Sequence, residues 1–210
     1  MCCGDTPPHD YDDAAGNRSP VPGWLLVLPV LLALIALALI TGQHIHALYR
    51  ATLGRVDALN LPAAVLTELF RLKPVFLIAV VLLLVDRRLR WGFAVDFGVV
   101  MLVQALVGNA LKDVFNRMRP DSLLQPGVFL GPQWNGPGHS FPSGHAVAAW
   151  ALAALMSSWY PRRRWVFYVV AAAVCWSRLQ LNAHYLGDVI AGSVVGWYIT
   201  QGILAWMGRA

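Results

Sequence analysis

The sequence predicts an all-α protein, a polytopic membrane bundle of six transmembrane helices in one domain. Three observations predict it. The 210 residues are 58% hydrophobic and only 13% charged, and the mean hydropathy of +0.56 lies outside the range of soluble domains. Apolar runs recur at about 20 residues, the length that crosses a hydrocarbon core of about 30 Å. Arginine clusters and interfacial tryptophans separate those runs, as expected where cytoplasmic loops carry the basic residues.

Residues 1–23 are polar, rich in Pro, Gly and Asp, and lack periodicity, which predicts a disordered tail. Residues 24–42 form the first span, with Pro29 near its start. Over residues 43–60 apolar side chains (Ile45, Leu48, Leu53, Val56) alternate with polar ones at helical spacing, predicting a short amphipathic helix at the interface. The apolar stretch 74–85 is too short to cross alone, so the second span begins near Ala63 and kinks at Pro74. Glu68, Arg71 and Lys73 then occupy its outer half. They read as an ion pair near the headgroups, with Arg71 or Lys73 facing a polar pocket as the alternative.

Arg87, Arg88 and Arg90 end this span and Trp91 marks the interface. The third span covers 93–115, and 116–142 is a loop too polar to cross. The fourth covers 144–160 and is closed by Arg162, Arg163 and Arg164. Residues 165–176 make a short fifth span and 189–207 the sixth. Residues 24–208 thus form a single membrane domain. Both arginine clusters belong in the cytoplasm, which puts both termini there, and the loop 116–142 and the turn 177–188 on the outer face. Compactness and the lack of organelle signals point to a bacterial inner membrane.

The net charge of +5 comes from sixteen basic residues scattered over short loops, without the basic stripe that nucleic acid requires. Cys2, Cys3 and Cys175 have neither metal-ligand nor disulfide spacing. Cys175 reads as packing, and the tail pair as unmodified, with acylation as the alternative.

Three polar clusters fall on the outer side. Residues 112–120, K-D-V-F-N-R-M-R-P, place Lys112 and Arg119 seven apart on one helical face, with Pro120 ending the helix. Residues 141–145, F-P-S-G-H, put Pro142 in a first helical turn, where Ser143 and Gly144 offer unpaired N–H groups to an anion. Residues 177–188, S-R-L-Q-L-N-A-H-Y-L-G-D, set His184 and Asp188 four apart, an orienting carboxylate–imidazole pair on one helical face. At about 1.5 Å per residue from the inner surface, Lys112 lies about 33 Å up, His145 about 25 Å, Arg178 about 21 Å and Asp188 about 31 Å. The three clusters can therefore line one cavity.

Ionisable groups at that depth are costly unless they serve a substrate, and converging cations suit a compact anion with several oxygens. A tetrahedral phosphoryl group fits. Lys112, Arg119 and Arg178 spread over its equatorial oxygens, Ser143 and Gly144 complete the cradle, His184 attacks in line and His145 protonates the leaving oxygen. The chain shows no carboxylate cluster for magnesium and no Cys or His set for zinc, so neither metal nor cofactor is expected. His139 reads as loop polarity and His44 and His46 as interfacial residues. Asp113 reads as the neutralising partner of Arg117, and Trp134, Phe141 and Tyr185 as interfacial aromatics.

K-x6-R-P at 112–120, P-S-G-H at 142–145 and S-R-x5-H-x3-D at 177–188 together resemble the type 2 phosphatidic acid phosphatase superfamily, the lipid phosphate phosphatases. The resemblance covers residues 93–207. It implies an acid phosphatase/vanadium haloperoxidase-like core in the six-helix membrane branch of that superfamily. It further implies metal-independent hydrolysis through a phosphohistidine on His184, oriented by Asp188, with His145 as the leaving-group acid. Lys112, Arg119, Ser143, Gly144 and Arg178 would hold the phosphate. Family substrates are lipid phosphates and diphosphates: phosphatidic acid, phosphatidylglycerophosphate, polyprenyl diphosphates and lipid A phosphates. Membrane lipids are the expected surroundings. The alternatives are transfer of the phosphoryl group to another lipid, and a non-catalytic lipid transporter.

Overall fold

The structure, a computed structural model, describes residues 28–71, 80, 90–123 and 125–209. The expected tail, Lys73, the Pro74 kink, Arg87 and Arg88 lie outside the described residues. Among those described, six α-helices follow one another: α1 (Leu28–Ala51), α2 (Asn60–Leu69), α3 (Arg90–Phe115), α4 (Gly144–Trp159), α5 (Arg164–Gln180) and α6 (Leu186–Trp206).

The fold is built around α4. Its sequence is small and apolar on every side, and Ala146, Val147, Ala149, Ala151, Ala153, Ala154, Leu155 and Met156 are all buried, the pattern of a helix surrounded by others. Helices α3, α5 and α6 pack around it, α1 lies against α6, and α2 lies against α5. The α4–α6 crossing is close because α6 presents glycine there: a Cβ on Gly192 would stand 2.6 Å from the Ser143 carbonyl oxygen and 3.0 Å from Ala146 Cβ. One turn on, Gly196 meets the Val147 carbonyl in the same way, and Thr200 Oγ1 donates to the Ala151 carbonyl at 3.2 Å. Small residues every fourth position let two backbones meet without an intervening side chain. Gly192→Val is therefore expected to force the helices apart at a cost of about 1–3 kcal/mol, read as a lower melting temperature of the protein in detergent.

The end of the bundle at the C-terminus of α4 is apolar and locked. Phe93, Phe97, Met101, Leu155, Met156 and Leu204 form its core. Asp96, fully buried, is ion-paired to Arg209 and accepts from Trp159 Nε1 at 3.2 Å. Arg162 and Arg163 leave α4 at this end and are exposed. The three polar clusters all lie at the opposite end.

Helix α3 spans 26 residues, about 39 Å. Among the described residues, Trp91–Phe115 and Leu186–Trp206 are long and apolar enough to cross a membrane. Helices α4 and α5, with 16 and 17 residues, reach about 24–26 Å.

Four local expectations are corrected. The first helix does not stop at Gly42; α1 runs on to Ala51, because Gln43, His46, Tyr49 and Arg50 form a polar stripe that bonds to the protein. Two short 3-10 turns, Leu53–Arg55 and Asp57–Leu59, take the place of the interfacial helix. Helix α2 closes at Leu69, before Pro74, whose ring would clash with the carbonyl of Phe70 in a continued helix. Helix α3 ends at Phe115, not at Pro120, because Asn116 turns left-handed at φ 44° while its N–H still bonds to the Lys112 carbonyl at 2.7 Å. This is an αL termination by asparagine, and it places Arg119 off the helix that carries Lys112.

Candidate active site

The site is assembled around Asp188, fully buried at the third position of α6. Its carboxylate accepts from Arg117 Nη1 at 2.6 Å, from Ser140 Oγ at 2.5 Å and from the backbone N–H of Tyr185 at 3.0 Å. Its carbonyl accepts from the Ser143 N–H at 3.0 Å. One residue thus ties together all three polar segments. A buried carboxylate is tolerable only when paired and fully hydrogen-bonded, and these contacts meet that condition. Arg117 is itself buried, with its guanidinium carbon 4.3 Å from the Tyr185 ring centroid and 4.8 Å from that of Phe129, and its Nε donates to the Gly127 carbonyl at 3.3 Å.

His184 sits in the short turn between α5 and α6, buried at 3% exposure. Its Nδ1 lies 2.8 Å from the Ser140 carbonyl and 3.8 Å from Asp188 Oδ2. A carbonyl can only accept, so Nδ1 carries the ring proton and Nε2 carries the lone pair. Burial lowers the pKa of His184 from its ordinary value, and Arg178 and Arg119 act in the same direction against the pull of Asp188. The neutral ring, with its Nε2 lone pair free, is therefore the form favoured at neutral pH. The expected His184–Asp188 pair does not share a helical face: His184 precedes α6, its direct hydrogen bond runs to Ser140, and Asp188 stands behind it.

Helix α4 begins at Gly144 with Ser143 as its N-cap. The N–H of Ser143, expected to be free for an anion, is taken by the Asp188 carbonyl. What Ser143 offers is its hydroxyl, whose Oγ is buried and without a partner among the described residues. His145 Nε2 and Arg178 Nε are buried and unpartnered in the same way. Lys112 reaches across from α3, and a Cβ on Gly144 would stand 3.0 Å from its Nζ. Glycine leaves the ammonium room beside the helix N-terminus, where the dipole and free N–H groups favour an anion.

Arg178, on the last turn of α5, is 8% exposed and donates through Nη1 to Thr67 Oγ1 at 3.1 Å. That hydroxyl in turn lies 2.9 Å from Ser177 Oγ. His145 is within electrostatic reach of Arg178, His184 and Lys112, and Arg178 of Arg119. The predicted cations and both histidines therefore lie within electrostatic reach of one another at this end of the bundle, with Arg119 exposed and His184 and Arg178 buried. A cavity of about 750 Å³ adjoins it, lined by Glu68, Arg71, Gln104, Asn109, Lys112, Gly144 and His145 among others.

Sequence reasoning missed Arg117, Ser140 and Thr67. Arg117 does not pair with Asp113, whose carboxylate caps the N–H of Asn135 at 3.3 Å; it lies past the end of α3 and turns inward to Asp188. A signal was available, since a buried carboxylate needs a cation and Arg117 lies between two residues already singled out. His46 is not interfacial: it is buried, and its Nε2 lies 2.8 Å from Asn182 Oδ1 in the His184 turn. Phe141 and Tyr185 are likewise buried, while Trp134 is exposed. Cys175 packs in the core as expected, its sulfur accepting from Trp150 Nε1 at 3.3 Å.

Both the sequence and the fold resemble those of known proteins. The chain is 35% identical to the lipid A 1-phosphatase of Rhizobium etli over 101 residues, 47% of this chain and 44% of that protein. It thus spans less than half the length of that relative. It is 27% identical to the undecaprenyl-diphosphatase of Sulfolobus acidocaldarius over 185 residues, covering 84% of this chain and 87% of that one. The fold superposes on the crystal structure of a transmembrane PAP2-type phosphatidylglycerolphosphate phosphatase from Bacillus subtilis, with a TM-score of 0.65 and 21% identity over 88% of this chain and 96% of that one. It also superposes on that of LpxE from Aquifex aeolicus, with a TM-score of 0.63 and 20% identity over 78% of this chain and 94% of that one. The family model for the PAP2 superfamily matches residues 93–210, the part that carries Lys112, Ser143, His184 and the Asp188 hub, and the chain belongs to that superfamily.

Proposed function

We propose that this protein is a membrane lipid phosphatase that hydrolyses a lipid phosphate or diphosphate through a phosphohistidine on His184. The observation that carries the reading is the fixed tautomer of that histidine: the Ser140 carbonyl holds Nδ1–H, leaving Nε2 as the nucleophile. Three buried polar atoms without a partner among the described residues, Ser143 Oγ, His145 Nε2 and Arg178 Nε, support a ligand with several oxygens, because groups orphaned in this way are costly.

Nε2 of His184 attacks the phosphorus, a P–N bond forms, and the bond to the leaving oxygen breaks with its electron pair going to that oxygen. His145, next to Gly144, takes up a proton when the anionic substrate binds beside it and gives that proton to the leaving oxygen. Arg178, Arg119 and Lys112 carry the charge on the three equatorial oxygens, with the Ser143 hydroxyl and the α4 N-terminus completing the cradle. Water then opens the P–N bond, activated by the His145 imidazole left neutral in the first step, and phosphate departs. Asp188 and Ser140 hold the ring rather than touch the substrate.

The names of the relatives direct the substrate class to lipid A phosphates, undecaprenyl diphosphate and phosphatidylglycerophosphate. In this reading residues 24–208 form one membrane domain of six spans, with the tail and C-terminus cytoplasmic and the site at the outer face of a bacterial inner membrane. The locked end of α4 with its exposed Arg162 and Arg163 supports that orientation.

The test is to trap the intermediate. Protein mixed with a lipid substrate radiolabelled in its terminal phosphate, in EDTA, and quenched in alkali is expected to carry label on His184. His184→Ala is expected to bind no label and release no phosphate. Phosphate release that survives in that variant would end the proposal, and release that requires an acceptor lipid would replace hydrolysis with transfer.

A further inference from the structure

The cavity beside the site is not centred on the nucleophile. His145, Gly144 and Lys112 line it, whereas His184, Arg178 and Arg119 are not among its lining residues. In-line displacement sends the leaving group away from the attacking nitrogen, toward the acid that protonates it. In the proposed mechanism the cavity thus lies on the leaving-group side.

Its walls are mixed. Phe70, Ala105, Gly108, Val147 and Ala148 are apolar or small, but Arg71 and Glu68 stand at one side, paired Nε to Oε2 at 3.1 Å and exposed at 64% and 57%. An exposed pair between the last turn of α2 and the residue just past its C-cap is worth at most about 1 kcal/mol, so its arginine can change partners at little cost. A phosphate offers that arginine two oxygens in the geometry of its fork. Arg71 is also within electrostatic reach of His145. In the proposed chemistry Lys112, Arg119 and Arg178 serve the three oxygens of the transferred phosphoryl group, which leaves Arg71 without a part in holding it.

Resting on the hydrolase reading, we propose that Arg71 and this cavity form a subsite for a second anionic phosphate, carried by the leaving group. The favoured substrates are then lipids whose terminal phosphoryl group departs from a diphosphate or from an alcohol bearing a phosphodiester. A neutral leaving group such as a diacylglycerol would give Arg71 nothing to hold. For a diphosphate, the bridging oxygen takes the electron pair of the broken P–O bond and the proton of His145, and the lipid monophosphate so formed occupies the cavity with a charge on Arg71.

The experiment compares full-length wild type, Arg71→Gln and Arg71→Lys in detergent on two matched pairs: a polyprenyl diphosphate against the same polyprenyl monophosphate, and phosphatidylglycerophosphate against phosphatidic acid. Arg71→Gln is expected to lower kcat/KM on a substrate with an anionic leaving group at least tenfold more than on its partner, with Arg71→Lys partly restoring the ratio. Selective loss on the diphosphate alone assigns the subsite to diphosphates, and selective loss on phosphatidylglycerophosphate assigns it to the phosphodiester. Equal changes across both pairs, or none, overturn this inference while leaving the hydrolase standing. A wild type that releases no phosphate from any of the four overturns both.

Discussion

Arg178→Ala is expected to lower kcat/KM for phosphate release by about 10²–10³-fold, the usual loss when one preorganised donor to a developing oxyanion is removed, and to raise the melting temperature at the same time. The two signs come from one fact. Arg178 is buried at 8% exposure, its Nη1 has only the neutral Thr67 hydroxyl at 3.1 Å, and its Nε has no partner among the described residues. Among those residues no carboxylate stands within ion-pair distance of it. A charge held this way destabilises the free protein and is compensated when an anion binds. Replacing it with alanine removes the penalty together with the charge assigned to the phosphoryl oxygens in the proposed mechanism. Arg178→Lys, which keeps the charge but loses the planar fork, is expected to fall between. An Arg178→Ala protein that melts lower and keeps most of its activity would show the arginine to be a structural residue.

Arg117→Met should have the opposite stability signature. Asp188 is fully buried and Arg117 is its cation at 2.6 Å, so removing the guanidinium leaves an uncompensated carboxylate inside the protein. Such a loss costs about 3–5 kcal/mol. It should appear as a large drop in melting temperature and, since Asp188 joins all three polar segments, as loss of phosphate release. The second substitution distinguishes charge from shape. Asp188→Asn in the Arg117→Met background removes the stranded charge and is expected to recover a large part of the lost stability without restoring turnover, because Ser140 and the His184 ring are no longer held as before. An Arg117→Met protein as stable as wild type would mean that Asp188 is sustained by Ser140 and Tyr185 alone.

How far the sequence reached varies by residue. The cores of the helices at 90–115, 144–159, 164–180 and 186–206 were legible as apolar runs, and His145, His184, Lys112 and Arg178 as ionisable residues that such runs would not carry without a use. The ends of helices were not. Asn116 ends α3 at a left-handed φ, a choice made jointly by its amide bonding to Gly138 and Gln133 and by Arg117 turning to Asp188. The polar residues of α1 read from the sequence as interfacial because their partners, Gln180 and Asn182, are more than a hundred positions away. The N–H of Ser143 was assigned to an anion for the same reason: the carbonyl that takes it belongs to Asp188, on another helix.

What the sequence determined by itself is the kind of protein this is: its apolar runs require helices, and three short segments between them gather ionisable residues that such runs would not carry without a use. The assignment of partners was decided only by the tertiary structure. Side-chain spacing along one helix specifies which residues share a face, but which carbonyl fixes a histidine ring and which cation neutralises a buried carboxylate depend on how separate helices cross. Here that crossing is set by the glycines of α6 against α4, and it brings Ser140, Arg117 and Asp188 within hydrogen-bonding distance of one another.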